Sequence, residues 1–349
     1  MFRFLSKRIR YSLLVLWGVV TLVFFLFNVL PGDPARLVMG QRADKASIEN
    51  ARREMNLDKP LFTRYLLYLN DISPIGYHKS DEQEKYSFIK LVPLGEKAVA
   101  LKWPYMGRSY SSKKEVTATL ADALPGTLIL ALSAMLIATI FGIALGIVAA
   151  LKKDTWMDTA SIAASVAGIS MPSFFAGLII AYVFGYLLHH ITGLNMTGSL
   201  WEYDAFGGRR LALQNLILPA IALGIRPMAI ITQLTRSAML DVLSQDYIRT
   251  AYAKGLSTTQ VVWRHALPNA LNPVVTAVTG WLAELLAGSF FIEYIFGWKG
   301  IGKITVDALD KFDFPLVMGS VLLTAFMFII INLLTDLLYA RIDPRVRLG

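Results

Sequence analysis

The chain has 349 residues, 55% of them hydrophobic and only 17% charged, with 34 Lys+Arg against 25 Asp+Glu for a net charge of +9. So little charge excludes an ordinary soluble domain and points to an integral membrane protein. The absence of cysteine excludes disulfides and thiolate chemistry, and no basic stripe with interleaved aromatics accompanies the charge, so nucleic acid is not an expected partner.

Arg3, Lys7, Arg8 and Arg10 precede an uncharged run from Tyr11 to Leu30. A helix of twenty residues covers about 30 Å, the thickness of the bilayer's hydrocarbon core. No small-x-small cleavage site follows, so residues 1–30 read as a cytoplasmic N-terminus and an uncleaved first span. Residues 31–119 are polar and mixed in charge, and are expected to form an extracytoplasmic loop or small domain. Amphipathic helices are expected over Asp44–Leu57 and Leu61–Leu69, whereas Asp71–Trp103 shows no clear period.

Residues 120–340 read as a transmembrane core. Pro125–Leu151 is uncharged and closed by Lys152-Lys153, which puts that end in the cytoplasm. Thr159–Leu188, uncharged with Pro172 inside, is counted as one tilted or kinked span. Ile191–Gly208 is an outer loop, and Leu211–Met239 a fourth span interrupted by Arg226-Pro227. Asn269–Ile292 is a fifth span, Glu293–Asp313 an outer loop with a short helix over Ile304–Leu309, and Phe314–Thr335 a sixth. The tail, 341–349, brings Arg341, Arg345 and Arg347 to the cytoplasmic side. The expected fold is therefore an all-α integral membrane protein of six transmembrane helices with both termini in the cytoplasm.

Between the fourth and fifth spans lies a polar, basic island, Gln245–Asn269, within the loop 240–269. Asp246 can cap a helix through Tyr247–Lys254, and Gly255 can end it in the left-handed conformation. Ser257 can cap a second short helix, and Pro268 marks entry to the next span. Tyr247, Ile248, Ala251 and Tyr252 recur at helical spacing and are read as a docking face for another protein.

Other motifs carry less. Gly297-Trp-Lys-Gly-Ile-Gly302-Lys303-Ile304 nearly matches a phosphate-cradling loop but lacks the hydroxyl at Ile304 and a preceding strand. It reads as a glycine-rich turn, so any ATP is expected to be hydrolysed by another chain. His78, His189, His190 and His265 show no metal-ligand spacing, and no catalytic pair is found; no metal, cofactor or catalytic residue is expected. Glu284 lies midway in the fifth span, where a carboxylate costs roughly 2.5–3.5 kcal/mol, so it should face a cavity or a partner. Pathway lining, an inter-subunit contact and a plain ion pair with Arg226 all fit. An ion-coupled secondary transporter with Glu284 as proton carrier is the alternative class.

The island resembles the cytoplasmic loop of binding-protein-dependent ATP-binding-cassette (ABC) importer permeases, whose pattern is Glu-Ala-Ala-x3-Gly-x9-Ile-x-Leu-Pro. Arg249-Thr250-Ala251, Gly255 and His265-Ala266-Leu267-Pro268 keep that spacing. Arg249, Thr250 and His265 depart from the general pattern in a way similar to the dipeptide/oligopeptide/nickel branch. Leu30-Pro-Gly-Asp-Pro34, Leu57-Asp-Lys-Pro60, Gly107-Arg-Ser-Tyr110, Met171-Pro-Ser-Phe-Phe175 and Asp343-Pro-Arg345 resemble that branch's B-type permease. Ser73–Lys102 is longer than the family leads one to expect, and a Leu-Pro expected near Gly193–Gly198 is missing.

The resemblance implies an N-terminal span added to a five-helix MetI-like core, with cytoplasmic coupling helices. It implies a non-catalytic transport subunit of the bacterial inner membrane that forms the path for peptides or related small solutes. The implied partners are two cytoplasmic ATPase subunits, a homologous second permease in a heterodimer, an extracytoplasmic solute-binding protein and membrane lipid. The implied ATPase-coupling residues are Tyr247, Ile248, Arg249, Thr250, Ala251, Tyr252, Gly255, Leu267 and Pro268.

Overall fold

The computed structural model describes residues 2–29, 35–36, 44–79, 86, 88–95, 97–204 and 208–342. The expected motifs Leu30–Pro34 and Asp343–Arg345, with the tail arginines Arg345 and Arg347, lie outside them. The elements are α1 (Phe2–Val29), α2 (Lys45–Glu54), α3 (Leu61–Ile72), β1 (Ile75–Lys79), β2 (Ile89–Leu94), β3 (Lys97–Leu101), α4 (Val116–Leu151), α5 (Trp156–Ser170) and α6 (Ser173–Ile180). A π-helical stretch (Ala181–Leu187) extends α6, and β4 (Trp201–Asp204), β5 (Gly208–Leu211) and α7 (Gln214–Leu243) follow. Then come α8 (Asp246–Ala253), α9 (Thr258–Val261), a second π-helical stretch (Val262–Ala266), α10 (Leu267–Gly288), α11 (Phe290–Ile295), α12 (Ile301–Asp310) and α13 (Phe314–Ile342). The chain divides into two compact units, Met1–Leu124 with Ile304–Phe326, and Pro125–Lys303 with Met327–Gly349.

In the first unit α3 packs along the carboxyl-terminal part of α1. Val23 and Phe24 of α1 cluster with Tyr65 of α3 and Met318 of α13, and the hydroxyls of Thr21 and Tyr65 lie 2.6 Å apart. Asp44 caps α2 by accepting from the Ser47 amide. The segment that lacks a period in sequence holds an antiparallel sheet of order β1-β3-β2, with Ile75 and Ile89 both opposite Leu101 and a bulge between Lys90 and Val92. Its covered side carries His78, Ala98 and Ala100 against Tyr86 and Phe88. Buried Asp313 accepts from the Ser109 hydroxyl and from the amides of Tyr110 (3.0 Å) and Ser111 (3.2 Å), which fixes the turn ahead of α4.

In the second unit α7 is the central helix, packed against α5, α6 and α10. Arg236 of α7 grips Asp158 of α5 through two parallel bonds of 2.5 and 2.7 Å, the fork geometry a guanidinium offers a carboxylate. Cβ atoms on Gly142 and Gly146 of α4 would collide with Ile231 and Thr235 of α7, so these two helices approach as closely as backbones allow.

Four described helices are long and apolar enough to cross a membrane: Ser6–Val29, Val116–Leu151, Gln214–Leu243 and Phe314–Leu337. The segment counted as one kinked span consists of α5 and the α6 stretch, bent by 109° across Met171-Pro172, and as one broken span it would add a fifth to these four. Pro172 supplies no amide donor, so the helix stops at Ser170 and restarts at Ser173 in a new direction. The expected fifth span, α10, is not among the four, because Asn269, Asn272, Pro273 and Glu284 lower its apolar content.

Candidate functional site: the Gln245–Asn269 loop and a polar helix face

The loop folds into two short helices joined at Gly255, whose φ of 79° is the left-handed region. Nothing lies within 4 Å of a Cβ built there, so a side chain would meet backbone strain and no steric block. Ser257 caps α9 in a reciprocal capping box with Gln260. One detail corrects the expectation. Gln245 occupies the N-cap position of α8 without a side-chain capping bond, and Asp246 sits in the first turn, where its carboxylate favours the positive end of the helix and lies 3.6 Å from Arg249. As expected, Pro268 stands at the entry to the next helix, in the first turn of α10, and a π-helical turn over Val262–Ala266 leads from α9 into it.

The face read as a docking surface also divides. Ile248 and Ala251 are buried among Met239, Val261, Val262, Ala266 and Leu267 of the same unit. They anchor α8 to the ends of α7 and α10, and Leu267 belongs to that core. The surface left outward consists of Tyr247 and Tyr252, Arg249, Thr250 and Lys254, followed by Trp263 (62% exposed) and Arg264. Pro268 is exposed beside it. Asn269 donates to the Tyr247 hydroxyl (3.2 Å) and to the His265 carbonyl (2.8 Å), tying α8 to the start of α10.

Glu284 is exposed on α10 and forms no hydrogen bond or ion pair among the described residues. Arg226 does not pair with it; its guanidinium stacks over the Trp281 ring, 5.7 Å from the centroid. The structure adds neighbours that the sequence reading missed. Asn269, Asn272, Thr276, Gly280 and Glu284 all lie outward and share one face of α10 at three- and four-residue intervals, while Ala270 and Val274 point into the unit. The signal was present as polar or small residues recurring at helical period inside an apolar run.

The glycine-rich turn after α11 is occupied by its own chain. Glu293 is fully buried, and its carboxylate accepts from the hydroxyls of Thr127 (2.7 Å) and Ser289 (2.8 Å) and from the Lys303 amide (3.2 Å). A Cβ on Gly300 would collide with that carboxylate. Burial pushes the Glu293 carboxyl up, and the bonds from Thr127, Ser289, Lys303 and Gly302 pull it back. Thr127 in turn accepts from the Ile301 amide (2.8 Å), and the Trp298 indole donates to the Gly126 carbonyl (2.9 Å). The turn cradles an anion, and the anion is Glu293.

Residues 142–348 match the family model described as binding-protein-dependent transport system inner membrane component, and residues 1–131 match its N-terminal counterpart. The chain belongs to this family. The permease is 37% identical to the di/tripeptide transport system permease protein DppB of Pseudomonas aeruginosa (strain UCBPP-PA14), over 99% of each chain. It is 35% identical to the probable D,D-dipeptide transport system permease protein DdpB of Escherichia coli (strain K12), covering 99% of this chain and 97% of that one. It is 35% identical to the glutathione transport system permease protein GsiC of the same strain, over 99% of each. Among solved structures, an inward-facing MetNI methionine ABC transporter chain superimposes with a TM-score of 0.50 at 17% identity, over 65% of this chain and 98% of that one. The permease is thus a multi-pass, largely helical membrane component of an ABC importer, working with a solute-binding protein and an ATPase.

Proposed function

We propose that this permease carries di- or oligopeptides or related small solutes, and that its α8–α9 surface seats in a groove on a cytoplasmic ATPase subunit. The observation that carries the reading is the division of α8 into two faces. Ile248 and Ala251 fix the helix to the permease, leaving Tyr247, Arg249, Thr250 and Tyr252 outward with Trp263 beyond the Gly255 joint. A surface held this firmly can convert closure of two ATPases on ATP into tilting of α7 and α10. To swing a two-state equilibrium from 1:99 to 99:1 takes about 5.5 kcal/mol of differential interaction, which a helix docked on a core transmits and an undocked loop dissipates.

The membrane then lies across six crossings, with α10 included and both termini in the cytoplasm, in keeping with Lys152, Lys153, Arg249 and Arg264 on that side. The polar face of α10, Asn269 to Glu284, lines the solute path or the seam with a homologous second permease, because a carboxylate facing hydrocarbon is costly. Arg226, stacked on Trp281, borders the same face. The assembly is a heterodimer of permeases with two ATPase subunits and an extracytoplasmic binding protein, and ATP is hydrolysed by the ATPase subunits. Peptides as cargo rest on the three relatives whose names state di/tripeptide, D,D-dipeptide and glutathione transport.

The test is uptake by proteoliposomes holding the intact complex, with the binding protein and labelled peptides outside. Uptake should require ATP inside and stop with vanadate, and an uncoupler should leave it unchanged. Exchanging Tyr252 for Asp should abolish uptake and release the ATPase from the purified complex. Continued co-purification and uptake with that variant would refute the docking assignment.

A further inference from the structure

The first unit contains a cavity of about 180 Å³ between the carboxyl end of α1, α3, the turn at 105–110 and the start of α13. Its position relative to a bilayer is fixed by α1. Tyr65 of α3 reaches Thr21, and Arg64 donates to Asn28 in the last turn of α1. Those two α1 residues are about 10 Å apart along the helix axis. The helix α3 therefore runs beside the last third of a membrane span, at the depth of one leaflet. Its outward residues suit that depth: Phe62 is 69% exposed, and Leu66, Leu67 and, on α1, Leu26 and Val29 are exposed as well. Leu67 is both exposed and a wall of the cavity, so the mouth opens among apolar side chains.

Inside, two polar groups have hydrogen-bonding capacity that no described residue takes up. The Tyr68 hydroxyl is buried and has no hydrogen-bond partner, a state that is rare and costly for a buried polar atom. Arg64 is half-buried, bonds only the Asn28 amide oxygen, and meets no carboxylate among the described residues. Burial holds its guanidinium below the ordinary value. Asp71, which also lines the cavity, is already engaged by the Tyr86 hydroxyl (3.0 Å) and sits beside Lys102. Among the described residues the site thus presents a guanidinium with no carboxylate partner and a hydroxyl with no hydrogen bond, above an apolar floor of Phe24, Phe27, Phe314 and Met318.

We infer that this cavity binds one membrane phospholipid, its phosphodiester held by Arg64 and the Tyr68 hydroxyl and its first acyl carbons lying over Phe24 and Phe314. The guanidinium has donors to spare after its bond to Asn28, and a phosphate oxygen accepts from both groups at once. A phosphodiester at the headgroup plane offers its anionic oxygens to such charge-assisted bonds. A bound lipid would tie α1 and α3 to α13 with the annulus as part of the fold.

The intact transporter, reconstituted in phosphatidylethanolamine and phosphatidylglycerol vesicles and re-extracted in mild detergent, is examined by native mass spectrometry. The wild type should retain one phospholipid per copy of this chain. Arg64→Gln should lower its occupancy about tenfold and Tyr68→Phe several-fold, while Arg64→Lys, which keeps the charge, should recover most of it. Tyr68→Phe keeps the ring packing, so its loss of lipid separates binding from misfolding. Equal retention by wild type, Arg64→Gln and Tyr68→Phe would overturn the inference. So would a wild type that emerges without lipid, or one whose lipid is displaced by excess inorganic phosphate, which would mark a free-anion site.

Discussion

Replacing Ile248 by Ala tests the division of α8 most directly. The helix has eight residues, too few to hold its shape alone, since isolated helices shorter than about 12–15 residues are marginal in water. Its order therefore comes from Ile248, 1% exposed, and Ala251, 6% exposed, in the cluster with Met239, Val262 and Leu267. The exchange removes three carbons, about 2.4 kcal/mol of transfer energy, and leaves a cavity, for a total of about 3 kcal/mol. That changes the docked-to-undocked ratio of α8 by roughly a hundredfold. Trypsin reads the docking, because Arg249 on α8 and Lys254 just after it are exposed and cut faster once the helix unfolds. In proteoliposomes, ATP-driven uptake should fall at least tenfold while the ATPase still hydrolyses ATP. Ile248→Val, which costs about 1 kcal/mol, should retain most of the uptake. If Ile248→Ala resists trypsin like the wild type and transports normally, the anchor lies elsewhere and the two-face account of α8 fails.

Three further outcomes are expected. At Gly255, Ala should impair uptake nearly as much as Val, because the cost of about 1–2 kcal/mol is backbone strain and no atom lies near; Asn should be tolerated better. A clear advantage of Ala over Val in the uptake assay would count against this. Gly280→Leu should cut peptide uptake at least tenfold with normal membrane insertion, since it places a large side chain on the outward polar face of α10; undiminished uptake would remove that face from the path. Asp313→Ala should destabilise the first unit by about 3 kcal/mol by orphaning Ser109, Tyr110 and Ser111, read as faster trypsin cleavage at Lys113 and Lys114.

The spans α1, α4, α7 and α13 were legible because an uncharged run of bilayer length has few other uses. Gly255 and Ser257 were legible because their chemistry is local: a left-handed joint and a capping hydroxyl need no distant partner. Ile248 and Ala251 show the limit of periodicity, which reveals that a helix has an apolar face but not what covers it. The sheet in Asp71–Trp103 was hidden for a related reason. In β1 the covered positions are Gly76 and His78 and the exposed ones Ile75 and Tyr77, the reverse of the usual alternation. The polar face of α10 was present at helical spacing, yet only Glu284 stood out, because a charge in a span is conspicuous and Asn272, Thr276 and Gly280 are not.

The turn around Glu293 shows that a fold can satisfy an anion cradle with a residue borrowed from its own backbone neighbourhood. Glu293 and the glycines that close on it are mutually conditional: a larger residue at Gly300 has no room unless the carboxylate shortens. The converse is a means of control. Shortening Glu293 to Gly would vacate a chamber the size of a small carboxylic acid, ringed by Thr127, Ser289 and the Lys303 amide. Acetate or formate added from solution is then the natural replacement. The salt would refill the acceptor positions facing Thr127, Ser289 and the Lys303 amide, so the stability of the second unit in such a variant would follow the concentration of a dissolved anion.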